Sequence, residues 1–309
     1  MSAPTVESYR ARFRKVLEYI DANLNDDLSV ERLSSVAAFS KYHFHRQFAQ
    51  LFGIGVYKYV QLRRLKRASY QLAFRSHSQI IDIALANGYE GPESFSRAFK
   101  KSIGQSPSEF RRQPRWDPWY ATYQPLNELR SNHMKSAKQA EQIKIINFDA
   151  TKVAAFEHRG DPRLIGDSVR RFIAWRKQNN LPLSVSATFN ILYDNPTEVA
   201  PEDFHLDLCA ATDRDVADSE FGVVGKMIPG GRCAVLRHIG SDDTLGETVS
   251  YLYSDWLPQS GEERRDFPMY FQRVKLFPDV PENQAVTDVF LPLLDSNVKC
   301  LNSKEKRYE

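Results

Sequence analysis

The sequence predicts two folds in one chain: an all-α N-terminal domain with two helix-turn-helix motifs, and an α+β C-terminal domain of two repeated strand-helix-strand-strand halves. Three observations lead to this prediction. A helical pattern around Phe44 recurs around Phe95, the balance of charge reverses near residue 115, and a second pattern around Gly160 recurs around Gly240. We therefore expect domains over residues 1–115 and 143–309, connected by a linker over residues 116–142.

The more complete copy of the helical pattern lies over residues 78–112. Ser78 can cap a first helix, and the flexible backbone of Gly88 can provide a tight turn after it. The apolar face expected for this helix consists of Ile81, Ala84 and Leu85. A second helix is expected over Pro92–Ile103, with a buried aromatic stripe and basic residues on its other face. Two helices joined in this way describe a helix-turn-helix motif.

The first copy of the pattern keeps the aromatic and glycine residues of the second copy in register. The matched pairs are Phe44 and Phe95, Arg46 and Arg97, Phe48 and Phe99, Gly53 and Gly104, and Tyr59 and Phe110. Ser29 is the candidate cap of this copy, and its second helix is expected to begin at Lys41. An internal repeat of this kind indicates two copies of one structural unit.

These two motifs resemble the AraC/XylS family of transcription regulators. The matching residues are 40–48 (SKYHFHRQF), Gly88-Tyr89, 95–101 (FSRAFKK) and 104–107 (GQSP). The resemblance covers about the first 115 residues and implies that the exposed face of each second helix contacts DNA. The residues assigned to this role are Lys41, Tyr42, His45, Arg46, Glu93, Ser94, Arg97 and Lys100.

The side chains in this set suit base recognition. Arg46 and Arg97 can each donate two hydrogen bonds to guanine, and Glu93 can accept one from cytosine. For every residue in the set, surface exposure without DNA contact is the alternative. A helix expected over residues 56–75 connects the motifs and carries a basic cluster, which either contacts phosphates or forms a solvated face. The cluster consists of Arg63, Arg64, Lys66 and Arg67.

Charge and composition limit the class of protein. Of the 42 Lys and Arg residues, 19 precede residue 116, together with only 10 of the 39 Asp and Glu residues. Positive charge is thus concentrated where contact with phosphates is expected. The sequence has no apolar run long enough to span a bilayer and no signal-peptide core at its N-terminus. The cysteines Cys209, Cys233 and Cys300 lack metal-binding spacing, so we expect a cytoplasmic protein without a metal or other cofactor.

Predicted strands alternate with helices from residue 143 onward. Strands are expected over residues 143–148, 152–158, 186–194 and 204–211, and a helix over residues 165–180. The same order then repeats in the rest of the chain. The matched pairs include Ala154 and Ala234, His158 and His238, Gly160 and Gly240, Gly166 and Gly246, and Val169 and Val249. Two such halves are expected to pair about a pseudo-twofold axis and to leave a cleft at their seam.

Short motifs in this half also occur in the order typical of a known domain. They are residues 192–196 (LYDNP), 256–258 (WLP), 260–261 (SG), Pro268 and 290–293 (FLPL). They resemble the GyrI-like effector-binding domain, which occurs fused to AraC-type DNA-binding domains. The resemblance and the aromatic content imply a small-molecule site, although burial in the core is the alternative for each candidate. The candidates are Trp175, Tyr193, Trp256, Tyr270 and Phe271.

One position departs from the family pattern. Members of the family often place a glutamate three residues after the proline that corresponds to Pro268, whereas this chain has Phe271 there. An aromatic cage normally needs a nearby carboxylate to hold a cation. We therefore expect a neutral or weakly charged lipophilic effector.

The sequence as a whole predicts a transcription regulator that acts as an activator. We expect it to bind double-stranded promoter DNA, RNA polymerase and a small effector, and not to associate with a membrane. The alternatives are a C-terminal protein-interaction module and, third, a hydrolase-like domain. No catalytic residue is predicted, because Cys209 and Cys233 fall in predicted strands and the sequence has neither a phosphate-binding loop nor a nucleophile elbow. His158 and His238 are expected to have a structural role at strand ends.

Overall fold

The computed structural model describes residues 6–133, 143–216 and 220–295. It forms two compact units, which we describe separately. The helical unit comprises residues 1–135 and 276–285, and the sheet unit comprises residues 136–275 and 286–309. Among the described residues, no helix combines the length and the apolar character that a membrane crossing requires.

The helical unit contains two helix-turn-helix motifs, as the sequence predicted. The first is formed by α2 and α3 and the second by α5 and α6, with α4 between them. The helices are α1 (Val6–Ala22), α2 (Val30–Val36), α3 (Lys41–Phe52), α4 (Val56–Phe74), α5 (Ile80–Ala86), α6 (Pro92–Ile103), α7 (Pro107–Arg112) and α8 (Trp116–His133).

Buried aromatic residues repeat between the two motifs. Phe44 and Phe48 on α3 are fully buried, as are Phe95 and Phe99 at the equivalent positions of α6. Each pair lies one helical turn apart, so its rings fall on the same face and pack into the core. The rings contact each other at centroid distances of 5.8 Å in α3 and 5.5 Å in α6. The residues that repeat in the sequence are therefore the residues that build the core.

Helix α5 differs from its prediction in both its start and its buried face. It begins at Ile80 with Gln79 as its N-cap, and not directly after Ser78. The expected face is only partly buried, since Ile81 and Leu85 are 44% and 51% exposed, whereas Ile83 is buried together with Ala84. The segment is apolar on more than one side, so periodicity alone does not select the face that packs.

Much of the stretch predicted as a linker is helix α8. Its apolar side packs into the core of the helical unit through four buried residues, Trp116, Trp119, Tyr123 and Leu126. Pro125 lies inside this helix but on its exposed side. Aromatic side chains at helical spacing can thus stabilise a helix despite a proline that suggests a linker. Residues 134–142 of the predicted linker lie outside the described residues.

The sheet unit contains one eight-stranded antiparallel sheet with the order β1-β6-β8-β7-β3-β4-β2-β5. The strands are β1 (Lys144–Phe148), β2 (Thr151–Arg159), β3 (Thr188–Leu192), β4 (His205–Ala211), β5 (Val223–Ile228), β6 (Gly231–Ile239), β7 (Met269–Lys275) and β8 (Val286–Pro292). The helix of the first half is α9 (Ile165–Gln178). The second half has α10 (Leu245–Ser250), a π-helical turn (Tyr251–Trp256) and α11 (Leu257–Ser260).

The predicted duplication of strand, helix, strand and strand is confirmed in this sheet. The first half consists of β2, α9, β3 and β4, and the second begins at β6, whose Ala234 matches Ala154 of β2. The two remaining strands are exchanged: β5 precedes the second half in the chain but pairs with β2, and β1 precedes the first half but pairs with β6. Each half is thus completed by the strand that leads into the other.

Candidate functional sites

The exposed face of α3 carries the four residues that the sequence assigned to it. They are Lys41, Tyr42, His45 and Arg46, and all four are exposed. The ring of Tyr42 is the most prominent, with 87% of the residue accessible. Lys41 forms an ion pair with Glu31 of α2, which raises the pKa of the ammonium group through their hydrogen bond. The face therefore offers an aromatic ring, an imidazole and a guanidinium group to a ligand.

The equivalent face of α6 is also accessible but has a different chemistry. Glu93, Arg97 and Lys100 are exposed, whereas Ser94 is half-buried. The Ser94 hydroxyl donates a hydrogen bond of 3.0 Å to the carbonyl oxygen of Gly91 at the start of the helix. Glu93 supplies a carboxylate, which none of the four assigned residues of α3 has. The two faces are thus suited to different arrangements of donors and acceptors on DNA bases.

Arg64 of α4 connects the turn of the second motif to the segment that follows α1 through hydrogen bonds. Its guanidinium group donates to three backbone carbonyl oxygens, those of Leu24 at 2.9 Å, Asp26 at 2.9 Å and Gly88 at 3.2 Å. Gly88 lies in the turn between α5 and α6 with φ of +71°, and a Cβ atom there would lie 2.5 Å from the Arg64 guanidinium carbon. The backbone conformation of the turn therefore favours glycine, and a larger residue would displace the Arg64 guanidinium group.

Two members of the predicted basic cluster do not face solvent, so both alternatives given for the cluster, contact with phosphates and a solvated face, are wrong for them. Arg63 and Lys66 are 1% and 3% exposed. Arg63 Nε donates to the carboxylate of Asp21 at 2.8 Å, and Lys66 Nζ donates to the side-chain oxygen of Asn127 at 3.0 Å. Both side chains lie on the inner face of α4, where Arg63 also pairs with Glu282 and Lys66 pairs with the same carboxylate.

The candidate effector residues of the sheet unit do not form a single cluster. Trp175 of α9 is buried against Phe172, with stacked rings 5.8 Å apart. Tyr270 and Phe271 are neighbours on β7, so their side chains point to opposite faces of the sheet. Tyr270 is fully buried and stacks on Phe290 at 4.8 Å.

Trp256 and Phe271 do share one apolar cluster, together with Tyr251. Phe271 is buried, and the Arg273 guanidinium lies 5.8 Å from the centroid of its ring. A cleft of about 330 Å³ opens at the π-helical turn and is lined by five residues, Tyr251, Asp255, Trp256, Gln259 and Ser260. Its volume lies within the range of small-molecule sites, and π-helical turns often occur at functional sites.

Tyr193, the fifth candidate, lies in a polar cluster that the sequence analysis did not find. Its ring stacks on His205 with centroids 4.0 Å apart, and its hydroxyl donates to Asp207 at 2.9 Å. Burial and the adjacent Asp207 raise the pKa of the Tyr193 hydroxyl to about 12. Lys226 Nζ donates to Glu157 at 2.6 Å and to Asp207 at 2.7 Å.

Three of these groups have the chemistry of metal ligands, since ligand atoms of Glu157, His205 and Asp207 lie within 4.8 Å of one another. The Lys226 ammonium group, however, already forms ion pairs with both carboxylates. The cluster escaped prediction because its members come from β2, β4 and β5, which are distant in the chain. The one indication in the sequence was the spacing of His205 and Asp207 on β4, because residues two apart in a strand lie on the same face of the sheet.

The paired histidines occupy equivalent positions, as the repeat predicted. The Nδ1 atoms of His158 and His238 lie 2.8 Å from the hydroxyl oxygens of Ser168 and Thr248, respectively. Burial lowers the pKa of both imidazoles, which favours their neutral forms. Each contact joins the end of a strand to the following helix, in agreement with a structural role.

The cysteines in the described part of the chain are poor nucleophiles. Cys209 and Cys233 are fully buried in β4 and β6. Burial raises the pKa of both thiols, so the reactive thiolate is disfavoured. Cys300 lies outside the described residues.

Comparison with known protein families assigns a domain type to each part of the chain. The profile of a GyrI-like small molecule binding domain matches residues 141–294. The profile of a helix-turn-helix domain matches residues 33–113.

Three relatives show how far the similarity extends. The "Probable transcriptional regulator YgiV" of Escherichia coli K12 is 40% identical over 152 residues, which cover 49% of this chain and 95% of the relative. The "Uncharacterized HTH-type transcriptional regulator YbfP" of Bacillus subtilis is 39% identical over 103 residues, or 33% of this chain and 35% of the relative. The "Right origin-binding protein" of Escherichia coli K12 is 24% identical over 257 residues, or 82% of this chain and 86% of the relative.

Proposed function

Because the chain belongs to the transcription regulators that join an AraC-type helix-turn-helix domain to a GyrI-like small-molecule binding domain, we propose that it activates transcription in response to a neutral or weakly charged lipophilic effector. The observation that carries this proposal is the pair of exposed recognition faces on α3 and α6, which share a buried framework but differ in surface chemistry. Such a pair can bind two different segments of one DNA site.

For DNA binding, the arginines are the main candidates for base recognition. Arg46 and Arg97 occupy equivalent positions, are both exposed and can each donate two hydrogen bonds to a guanine. Lys41, Tyr42, His45, Glu93, Ser94 and Lys100 complete the two proposed contact faces. Positive charge on both faces supports binding to phosphates, so the affinity is expected to fall steeply as salt is added.

For the effector, Phe271 supports a neutral ligand. It lies where family members often have a glutamate, and its ring is buried among apolar side chains. Trp256 and Tyr251 belong to the same cluster and also line the cleft at the π-helical turn. We place the effector at this cleft, with Asp255 and Gln259 available for polar contacts. Trp175, Tyr193 and Tyr270 lie in other clusters and are weaker candidates.

We further propose that the sheet unit is not a hydrolase. The thiols of Cys209 and Cys233 are buried and protonated, and the imidazoles of His158 and His238 are engaged with hydroxyl groups of the neighbouring helices. A regulator that activates transcription also requires contact with RNA polymerase, which we propose as its protein partner.

Transcription in vitro tests the activator function. The DNA site is first selected from a random duplex library with the unmodified protein and is then placed upstream of a weak promoter. With purified bacterial RNA polymerase, we expect the protein to increase transcript yield several-fold and the Arg46→Ala variant to increase it less. Unchanged or reduced yield at concentrations that saturate the DNA would contradict an activator.

Thermal unfolding in the presence of compounds tests the effector class. We expect neutral lipophilic compounds to raise the unfolding temperature of the unmodified protein more than cationic compounds of matched size. The Phe271→Glu variant is expected to reverse this preference, because a buried carboxylate is costly until a cation neutralises it. Without ligand, this substitution should lower the free energy of unfolding by about 3 kcal/mol.

Phe271→Leu is the matched control, since it keeps the site apolar and should keep the preference for neutral compounds. A strong preference of the unmodified protein for the cations would contradict the proposed effector class.

A further inference from the structure

The polar cluster of the sheet unit, which consists of Glu157, Tyr193, His205, Asp207 and Lys226, is built on paired strands. Asp207 of β4 lies directly opposite Glu157 of β2 in the antiparallel register. His205 precedes Asp207 by two residues, so both side chains lie on the same face of β4. The backbone amide of Tyr193, just after β3, donates to the carbonyl oxygen of His205 at 3.3 Å. Hydrogen bonds between strands therefore hold these side chains near one another.

Two buried atoms at the centre of the cluster face each other without a hydrogen bond. His205 Nε2 and Asp207 Oδ1 lie 3.3 Å apart, yet neither atom has a hydrogen-bond partner among the described residues. The oxygen therefore lies to the side of the axis along which the ring nitrogen carries its proton or lone pair. The side chain of Asp207 is 0% exposed and that of His205 is 12% exposed. Buried polar atoms nearly always have partners, so this pair points to a ligand that engages both.

The geometry of the two atoms matches chelation of a metal ion. Zinc binds imidazole nitrogen and carboxylate oxygen at about 2.1 Å, and tetrahedral angles place two such ligand atoms about 3.4 Å apart. A metal ion on the axis of His205 Nε2 would have Asp207 Oδ1 beside that axis, as observed. Glu157 offers a third ligand atom within 4.8 Å of the other two, and its exposed side chain can rotate toward them.

The Lys226 ammonium group uses different oxygen atoms of the two carboxylates. It donates to Asp207 Oδ2 at 2.7 Å and to Glu157 Oε1 at 2.6 Å. Each carboxylate thus keeps its second oxygen, and Glu157 Oε2 receives a long contact of 3.4 Å from the exposed Arg159. A metal ion and the ammonium group can therefore share both carboxylates, although the positive charge of Lys226 lowers the affinity for the metal.

Tyr193 orients two of these ligands. Its ring is nearly parallel to that of His205, with centroids 4.0 Å apart and an interplanar angle of 3°. Its hydroxyl donates to Asp207 Oδ2 at 2.9 Å. Metal ligands in proteins are commonly held in this way by neighbours that fix an imidazole ring or hydrogen-bond a carboxylate.

We propose that the polar cluster is a binding site for a divalent transition metal ion of the zinc type. The ligands are His205 Nε2, Asp207 Oδ1 and the Glu157 carboxylate, and Tyr193 is a positioning residue. An imidazole ligand favours zinc and cobalt over magnesium and calcium, which prefer oxygen ligands alone. The site shares no residue with the cleft at the π-helical turn, so it is a second binding site of the sheet unit.

The experiment titrates the full chain, stripped of metal with a chelator, with Co²⁺ and follows the visible absorption bands of the bound ion. We expect one ion per chain, displaced by Zn²⁺ and unaffected by Mg²⁺. His205→Gln removes a ligand and should lower the Co²⁺ affinity by more than ten-fold, whereas Tyr193→Phe, which keeps the stacked ring, should lower it roughly ten-fold.

His77→Gln is the matched control, because it removes an exposed imidazole outside the cluster and should keep the bands and the affinity. The proposal is wrong if the unmodified protein shows no bands with Co²⁺, or if a folded His205→Gln variant binds Co²⁺ as tightly as the unmodified protein.

Two further variants cover the case in which His205→Gln does not fold. Glu157→Gln changes a side chain that is 36% exposed, so it should fold and bind Co²⁺ roughly ten-fold more weakly. Lys226→Met should instead bind Co²⁺ more tightly, because the metal no longer competes with an ammonium group for the same carboxylates. An unchanged affinity in folded Glu157→Gln, or no gain in folded Lys226→Met, would overturn the proposal.

Discussion

The two helix-turn-helix motifs have matching buried residues but different exposed residues. Phe44 and Phe95 are both fully buried, and Gly53 and Gly104 both end their helices in the left-handed conformation. On the exposed faces, Tyr42 of the first motif corresponds to Glu93 of the second, two residues before the buried phenylalanine of each. The comparison teaches that both motifs use the same buried residues while their exposed faces differ in chemistry, as the proposed recognition of two unlike DNA segments requires.

The largest effect should come from the shared core. Phe48→Ala and Phe99→Ala each remove a fully buried ring, and each should lower the free energy of unfolding of the helical unit by about 3–5 kcal/mol. The measurement is denaturant unfolding of the full chain, followed by tryptophan fluorescence and circular dichroism. If the two motifs are packed in the same way, the two substitutions should lower the free energy of unfolding by similar amounts. A large decrease for one substitution and a negligible decrease for the other would show that the motifs are packed differently.

A smaller effect separates the two motifs at their glycines. Gly53→Ala should lower the free energy of unfolding by about 1 kcal/mol, because φ at this position is +65°. The added Cβ would not clash, since no other atom of the described residues lies within 4 Å of it. Gly88→Ala should cost about 2–3 kcal/mol, since the added Cβ also meets the Arg64 guanidinium and disturbs its hydrogen bonds. Equal costs in denaturant unfolding would show that Arg64 does not hold the second motif in place.

The smallest effect concerns the paired histidines of the sheet unit. Burial lowers the pKa of His158 and His238 below the ordinary value of 6.5, so the unfolded chain binds more protons than the folded chain below that pH. The free energy of unfolding should therefore fall as the pH decreases below about 6.5, by at most about 1.4 kcal/mol per pH unit for each histidine. Thermal unfolding between pH 7.5 and pH 5.5 measures this, and His158→Gln should reduce the dependence. If the His158→Gln variant keeps the same pH dependence, the dependence must come from other titratable groups.

The sequence was informative wherever a residue's role depends on its near neighbours. Repeated phenylalanines and glycines predicted the motifs, and the constant offset between matched residues, such as Gly160 and Gly240, predicted the duplicated halves of the sheet unit. The exchange of β1 and β5 between these halves was not predictable, because strand pairing at a sheet edge is decided by tertiary packing.

Long-range partners explain the main errors. Arg63 is part of a basic run typical of a DNA-binding surface, but its acidic partners lie 42 and 219 residues away in the chain. Trp116 and Trp119 fall within the predicted linker, although both are buried and their spacing of three residues is that of one helix face. In the candidate effector site, Tyr270 and Phe271 are neighbours on a strand and therefore point to opposite faces of the sheet. The sequence alone could have predicted that these two side chains do not share one site.

The most direct test of the account measures which bases each motif recognises. Arg46→Ala and Arg97→Ala are compared with the unmodified protein on the selected duplex and on a series in which each base pair is replaced in turn. Each variant should lose about 1–3 kcal/mol of binding free energy and should lose discrimination within one segment only. The account predicts that the two segments are different and lie about one helical turn, roughly 34 Å, apart. Loss of discrimination at the same base pairs, or a uniform loss on all duplexes, would contradict it.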